Sequence, residues 1–473
     1  MRRVLMPDLA VVGAGTMGAG IAEAAALAGL SVVMVDREEA VLERGRARIE
    51  RDLNRRVEKG RISESDRDAA LERVRSGTDL DLCADAPFVI EAVFEDLDVK
   101  REVFSQLDRE APRDVVLATN TSSLSVARIA AATERPERVV GMHFFNPVPA
   151  LKLVEVVAGP LTAPEVVRKT SSLAERLGKV PVVTADTPGF IVNRVARPFY
   201  LEGLRLLEAG GEPAQIDAAL EGAGFRMGPF RLMDLIGVDI NLATSESMYE
   251  RSYGLPRYRP SHLQRSMVEA GLLGRKTGRG FYEYEGGEET AEEPGTFDPG
   301  RFFLTGDDEL AAALGVKTGR GEVEIRALRD EETLAATGAP VGIRRFSNAS
   351  TAVELAGNAD RATRREIRAL VRAAGLTPAW VPDLPAGAAL RTVAALANEA
   401  AFALAEGVAS AEDIDRAMQL GVNYPKGPLA WADELGAERI LRVLDALRAL
   451  HGDAYAAAPL LRNRAAGGKP LSR

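Results

Sequence analysis

The stretch Gly13-Ala14-Gly15-Thr16-Met17-Gly18 stands between the apolar run Leu9-Ala10-Val11-Val12 and a helical stretch, Ala19 to Ala28. This order of strand, glycine turn and helix constrains the fold more than any other feature of the chain, because it is the opening of a dinucleotide-binding βαβ unit. Gly13 permits the tight turn, Gly15 lets the backbone approach a pyrophosphate, and Gly18 lets helix and strand pack closely, with phosphate charge facing the helix N-terminus. The next apolar run, Ser31 to Val35, ends on Asp36, where an acid binds the ribose hydroxyls. A glycine turn that merely reverses the chain leaves the spacing and the acid unexplained. The cofactor loop is therefore assigned to Gly13, Gly15, Thr16, Met17 and Gly18, with Asp36 as the ribose ligand. Asp36 repels a 2′-phosphate, which favours NAD over NADP, and the adjacent Arg37 tempers that preference.

From Asp8 to about Thr187, short apolar runs alternate with amphipathic stretches, as in a Rossmann-type parallel sheet covered by helices. Ser31 to Val35, Phe88 to Ile90, Val115 to Leu117 and Val139 to Met142 continue the strand series begun at Leu9. Beyond Thr187 the periodicity turns helical, giving an α/β cofactor domain over 1–187 and an all-helical domain over 188–285. Gly286 to Gly295 lacks large apolar residues and concentrates acid, as a solvated linker does. Together with a small α/β connector over 298–380 it forms the third segment, 286–380, in which no cofactor site is expected. A length of 473 residues suits such a multidomain chain, and 46% apolar with 27% charged residues is a globular balance.

An internal repeat defines the remainder. Gly178, Pro181, Asp186, Pro188 and Glu202 recur as Gly375, Pro378, Asp383, Pro385 and Glu399, each 197 positions later. Gln215 to Leu220 is echoed by Asp413 to Met418, and Gly228-Pro229 by Gly427-Pro428. Residues 381–473 are thus expected to form a second, degenerate helical domain.

Several function classes are disfavoured. A net charge of −9 argues against a general nucleic-acid binder. No apolar window is long enough to span a membrane. The start, interrupted at Pro7 and Asp8, does not read as a secretory signal, and the single Cys83 provides neither an intrachain disulfide nor a structural zinc site. No metal is expected, and the cytoplasm is the expected compartment.

His143, in Gly141-Met142-His143-Phe144-Phe145-Asn146-Pro147, follows a strand, and Glu155 lies 12 residues later in another apolar run. Oxidising an alcohol with NAD needs a base; a neutral imidazole supplies one near pH 7, and a carboxylate can set its tautomer. Taken singly, His143 also reads as a satisfied core histidine and Glu155 as an edge-strand charge.

With these residues in place, the chain resembles the 3-hydroxyacyl-CoA dehydrogenase family over roughly residues 7–285. The matching motifs, in order, are the Gly13 to Gly18 loop, Val89-Ile90-Glu91-Ala92-Val93-Phe94-Glu95, Asn120-Thr121-Ser122-Ser123-Leu124, His143 to Pro147, Pro188-Gly189-Phe190-Ile191-Val192-Asn193-Arg194, and Gly274 to Tyr282. The resemblance implies NAD-dependent oxidation of an (S)-3-hydroxyacyl-CoA to the 3-oxo form. His143 is then the general base, Glu155 its support, and Ser122 and Asn193 the groups that position the substrate. Glu95, Lys100, Asn146 and Lys276 match cofactor-contacting positions, and Lys59, with the neighbouring Arg55, matches a coenzyme A contact. Each has a plainer alternative: a helix cap for Ser122, a capping or interdomain hydrogen bond for Asn193, a solvated cation for Lys276. Arg44, Arg48, Arg51, Arg55 and Lys59 share one helix face, which suits coenzyme A phosphates or, with Glu43, Glu50 and Glu58 interspersed, a salt-bridged surface.

The extension beyond Tyr284 is similar to the tandem form among bacterial 3-hydroxybutyryl-CoA and phenylacetate-pathway 3-hydroxyadipyl-CoA dehydrogenases. Asn193 corresponds to Leu390 in the repeat, so one active site per chain is expected. Either a monomer with pseudo-dimeric helical domains or a homodimer fits the duplication. The competing readings are a 3-hydroxyacid or sugar-acid dehydrogenase, which typically uses a lysine base, and a non-catalytic, crystallin-like NAD-binding relative.

Overall fold

A computed structural model describes residues 6–284, 296–319 and 321–472. The start of the chain through Leu5 and the linker expected over Gly286 to Gly295 lie outside the described residues.

The first sheet has eight strands: β1 (Leu9–Val12), β2 (Val32–Val35), β3 (Val74–Gly77), β4 (Phe88–Glu91), β5 (Val116–Thr119), β6 (Val139–Phe144), β7 (Leu153–Ala158) and β8 (Val180–Ala185). Their spatial order is β3-β2-β1-β4-β5-β6-β7-β8. β1, β2, β4 and β5 are buried along their whole length, as near-continuous apolar runs must be in a sheet covered on both faces. Val11, Met34 and Ile90 belong to one apolar layer, and Val12, Val89 and Leu117 to the other.

Two strands depart from the sequence expectation. β3, Val74-Arg75-Ser76-Gly77, lacks an apolar run because it is an edge strand. β8 contains Pro181, which demotes a run in a sequence reading, yet as the opposite edge strand it tolerates the missing donor. The sheet is also not purely parallel. β6 and β7 run antiparallel, and this register sets His143 opposite Glu155.

The segment expected as a small connector is a six-stranded sheet of β9 (Phe302–Thr305), β10 (Lys317–Thr318), β11 (Val323–Ala327), β12 (Val341–Arg344), β13 (Ala352–Gly357) and β14 (Thr377–Trp380). Its order is β10-β9-β11-β12-β13-β14. The β12/β13 pair is antiparallel and β13/β14 parallel, as β6/β7 and β7/β8 are in the first sheet. The repeat thus extends into the α/β part, where short strands without a glycine fingerprint hide it from the sequence.

By its internal contacts the chain divides into two compact units, residues 1–192 with 407–422, and residues 193–406 with 423–473. The physical reason is an exchange of helices. Helix Ala411–Gly421, from the second helical repeat, packs on β7 and β8 of the first sheet. A Cβ on Gly421 would meet Leu153 at 2.8 Å. Helix Pro213–Gly222, from the first repeat, packs on β13 and β14, and a Cβ on Gly222 would meet Ala352 at 2.2 Å.

Within the second unit the long helices Arg197–Glu208 and Ala389–Ala405 pair through reciprocal contacts. Arg194 donates to Glu399 at 2.7 Å, and its repeat partner Arg391 donates to Glu202 at 2.7 Å. The Tyr258 hydroxyl bonds Glu399, and its counterpart Tyr455 bonds Glu202 at 2.8 Å. Residue i meeting j′ while i′ meets j is the contact pattern of a two-fold dimer, here made within one chain.

Two outcomes follow from this pairing. Arg391→Met leaves the fully buried Glu202 with Arg205 and Tyr455 as its remaining partners and is expected to cost about 1.5–3 kcal/mol in urea denaturation, the worth of a hydrogen bond to a charged group; a loss under about 1 kcal/mol contradicts the pairing, since that is the worth of a surface ion pair. Truncation after Tyr284 uncovers the first long helix and is expected to give a new dimer or an aggregate in light scattering, whereas a monomer as heat-stable as the full chain contradicts it.

Candidate active site

The glycine loop has the geometry that its sequence predicts. Gly13 has φ +102°, and a Cβ there would lie 2.6 Å from the Ala92 carbonyl oxygen. A Cβ on Gly18 would strike the Gly13 oxygen. Gly15, the N-cap of helix Thr16–Leu27, has no atom within 4 Å of its virtual Cβ, so a side chain there would fill the space kept open at the helix N-terminus. Asp36 follows β2 and accepts the Ala14 amide at 2.8 Å, which places its carboxylate beside the loop. These residues fit a dinucleotide.

His143 lies within β6, one residue before its end, in a nearly closed environment, 6% exposed, with the Phe145 ring centroid 4.5 Å away and that of Phe190 at 5.8 Å. Its Nδ1 lies 2.7 Å from Glu155 Oε2. Glu155 is fully buried, and β7 is an interior strand, so it is not an edge-strand charge. Its other oxygen accepts the amides of Ile191 at 3.0 Å and Val192 at 2.9 Å. The turn that presents these amides runs through Gly189 at φ +76° and Phe190 at φ +51°. A phenylalanine in the left-handed region is a strained residue held by its surroundings. A buried carboxylate is tolerable because both oxygens are bonded.

A second cluster adjoins this pair through Asn120, whose Oδ1 accepts the Phe144 amide at 2.9 Å. Glu95 Oε1 accepts from Thr121 Oγ1 at 2.6 Å, Ser122 N at 2.9 Å, and Ser123 N and Oγ at 3.0 and 2.9 Å. Burial pushes the Glu95 carboxyl up, but Lys100 and these donors outweigh it and hold it below the usual carboxylate range. Lys100 is buried, with its ammonium 2.6 Å from Glu91 and 3.3 Å from Glu95. It stands as a prop beneath Glu95. Ser122 is half-buried and Asn146 exposed.

The remaining predicted residues divide by unit. Lys59 and Arg55, with Arg44, Arg48 and Arg51, are exposed on helix Glu39–Glu58 and its C-cap, and no described carboxylate pairs with any of the five. Their interspersed acids therefore do not make this a salt-bridged face. Asn193 begins the second unit, directly after the amide that holds Glu155. Lys276, also in that unit, is bonded at 2.6 Å to both oxygens of Asp239.

Sequence reasoning missed Asp186 as a structural anchor. It accepts from Ser125 Oγ at 2.7 Å and Ala127 N at 2.8 Å, tying the Ser122 loop to the turn before Ile191. Its recurrence as Asp383, which accepts the Leu334 amide at 3.0 Å, was the available signal. The second sheet retains the same scaffold without the chemistry. Glu354 accepts the amides of Ala388 and Ala389 at 2.8 and 2.7 Å, as Glu155 does those of Ile191 and Val192. Arg344 takes the register position of the histidine, and a guanidinium has no lone pair with which to accept a proton. Among the described residues no group of three histidine, cysteine or acidic side chains is placed to hold a metal, and no helix is long and apolar enough to cross a membrane.

Comparison with known proteins gives the same picture. The profile described as 3-hydroxyacyl-CoA dehydrogenase, NAD binding domain, matches residues 8–187, and that of the C-terminal domain matches twice, at 189–284 and 388–471. The 3-hydroxyadipyl-CoA dehydrogenase of Escherichia coli (strain K12) is 43% identical over 466 residues, 97% of each chain. A 3-hydroxybutyryl-CoA dehydrogenase of Mycobacterium tuberculosis is 45% identical over 278 residues, 58% of this chain and 97% of its own. A crystal structure of 3-hydroxybutyryl-CoA dehydrogenase from Escherichia coli K12 superposes with a TM-score of 0.88 at 42% identity, covering 98% of this chain and 99% of that one.

Asp36→Ala is expected to raise the dissociation constant for NADH and to narrow the gap to NADPH, because it removes both the ribose contact and the repulsion of a 2′-phosphate. Fluorescence titration of both nucleotides checks this, and unchanged constants for both place the ribose acid elsewhere.

Proposed function

The chain belongs to the 3-hydroxyacyl-CoA dehydrogenase family, and from that premise we propose that it oxidises the 3-hydroxyl of a short acyl-coenzyme A thioester to the ketone, with His143 as general base. The observation that carries this reading is the 2.7 Å contact between His143 Nδ1 and a Glu155 whose other oxygen is held by two backbone amides.

With Nδ1 donating to a carboxylate, the neutral imidazole keeps its lone pair on Nε2, the atom that takes the hydroxyl proton. NAD, when bound, would supply the acceptor for the hydride that leaves C3, while His143 takes the hydroxyl proton. Glu155, held by the Ile191 and Val192 amides through its other oxygen, then balances the imidazolium that forms. Ser122 hydrogen-bonds the reacting oxygen, its loop held in shape by Glu95. Asn193 positions the thioester, and the unpaired cations along Arg44 to Lys59 receive coenzyme A phosphates. In reduction the same groups run backwards, and the protonated His143 acts as acid.

The acyl chain is assigned to the 3-hydroxybutyryl or 3-hydroxyadipyl class, supported by the relatives that match nearly the whole chain. The reciprocal helix pairing supports a pseudo-dimer within one chain. The single buried cysteine suits a reducing cytoplasm.

His143→Gln is expected to bind NADH nearly as the parent does and to lose at least about a hundredfold in turnover of acetoacetyl-CoA with NADH. Near-normal turnover removes His143 from the mechanism. Glu155→Gln is expected to slow turnover by a smaller factor, since the base itself survives.

A further inference from the structure

A buried cation in the second unit, Arg197, lacks a counter-ion. It is 2% exposed, yet no described carboxylate pairs with it. A guanidinium stays protonated in a protein, and burying a charge without a partner is costly. Its neighbours compensate only in part. Nη1 donates to Ser245 Oγ at 3.1 Å and to the Asn241 carbonyl oxygen at 3.5 Å, and the guanidinium carbon stands 5.1 Å from the centre of the Tyr200 ring. The phenols of Tyr200 and Tyr424 are the groups whose charge would act on it, and burial pushes both up, so neither becomes an anion near neutral pH. Nε is sealed in without an acceptor. Nη2 and the Tyr200 hydroxyl bond no described residue either, but they are not among the sealed atoms, so both remain open to a further partner.

The internal repeat separates what the fold needs here from what it does not. At the offset of 197, Arg194 and Glu202 recur as Arg391 and Glu399, the residues of the reciprocal helix pairing. Asn193, Arg197 and Tyr200 instead correspond to Leu390, Ala394 and Ala397, all buried in the second long helix. The second copy therefore makes the same helix pairing without a cation or a phenol at these positions. Both groups occur in the copy that also has Asn193.

Their place on the helix relates them to the substrate. Ala196 keeps right-handed helical angles, φ −76° and ψ −13°, so the turn Val192–Val195 runs on into helix Arg197–Glu208. Asn193 and Arg197, four residues apart, then share one face. The proposed reaction assigns the thioester to Asn193, and one helical turn advances about 5.4 Å, a step that a six-carbon acyl chain spans.

We propose that Arg197, together with the Tyr200 hydroxyl, receives the terminal carboxylate of the acyl chain, which makes the preferred substrate the coenzyme A monothioester of a 3-hydroxy dicarboxylic acid. This assignment rests on the dehydrogenase reading above and selects the 3-hydroxyadipyl type from the two acyl classes given there. A carboxylate supplies the charge that Arg197 lacks, and its two oxygens accept from Nη2 and from the phenol.

The full-length parent, Arg197→Met, Arg197→Lys and Tyr200→Phe are assayed with NAD on (S)-3-hydroxyadipyl-CoA and (S)-3-hydroxyhexanoyl-CoA, which share a chain length and differ in ending on a carboxylate or a methyl. The parent is expected to favour the carboxylate in kcat/KM at least about tenfold, the worth of a hydrogen bond to a charged group. Arg197→Met is expected to lower that ratio at least about tenfold, mainly through KM, because the contact is remote from the reacting carbon. Arg197→Lys keeps the charge and is expected to retain part of the preference, and Tyr200→Phe is expected to lower it by a smaller factor. A purely structural Arg197 affects both substrates alike. An unchanged ratio in Arg197→Met, or a parent that does not favour the carboxylate, overturns the proposal and leaves the dehydrogenase reading standing. A parent that oxidises neither thioester overturns both. If Arg197→Met does not fold, the parent's preference and its loss in Tyr200→Phe decide: a parent without preference, or a preference that Tyr200→Phe leaves intact, overturns the assignment.

Discussion

Everything at the candidate active site depends on how the Glu155 carboxylate is shared. One oxygen bonds His143 Nδ1 and the other accepts the amides of Ile191 and Val192. A carboxylate with no exposed surface is very unfavourable in isolation. Here the donors that make burial tolerable are the His143 imidazole and the two amides that precede Asn193, the groups on which the proposed function rests. The antiparallel β6/β7 register brings acid and base together, and the strained turn at Gly189 and Phe190 brings in the amides. Asn120 and Asp186 then fasten the Ser122 loop to the same strand and turn. His143 is held by backbone and sheet rather than by a flexible side-chain network, which is the preorganisation that its proposed role as base requires.

The second half of the chain shows which part of that arrangement is structural. Glu354 accepts two amides at the start of a helix and Asp383 caps another helix, with Arg344 and Leu390 at the positions of His143 and Asn193. The acid thus has a scaffold role in both sheets. The same duplication explains the exchange of helices between sheets. Each helical repeat covers the sheet that the other repeat follows in the chain, and the pairs Arg194/Glu399 and Arg391/Glu202 close the contact symmetrically.

Much of this was legible in the sequence. The glycine loop and Asp36 announce themselves by spacing, because only glycine fits where Gly13 meets Ala92 and Gly18 meets Gly13. His143 and Glu155 could be named as a pair from motif order, and the repeat could be seen from Gly178, Asp186 and Glu202. The second sheet was less visible. Its strands are short, β10 is a two-residue strand, and its pairing is nonlocal. The exchange of helices was not legible at all, because Gly222 and Gly421 matter only through the strands they meet, and chain order gives no hint of which sheet each will cover. Lys100 matches a cofactor-contacting position in sequence, and its burial between Glu91 and Glu95 is visible only in the structure.

The central claim is that Glu155 holds the imidazole with its proton on Nδ1 and its lone pair on Nε2. The chain has three histidines, His143, His262 and His451, so ¹⁵N-histidine labelling gives a spectrum simple enough to assign by single substitutions. The account predicts that neutral His143 carries its proton on Nδ1 in the parent protein, and that Glu155→Gln abolishes this fixed preference while His262 and His451 are unaffected. A proton on Nε2 in the parent, or the same His143 signal with and without the Glu155 carboxylate, would contradict it.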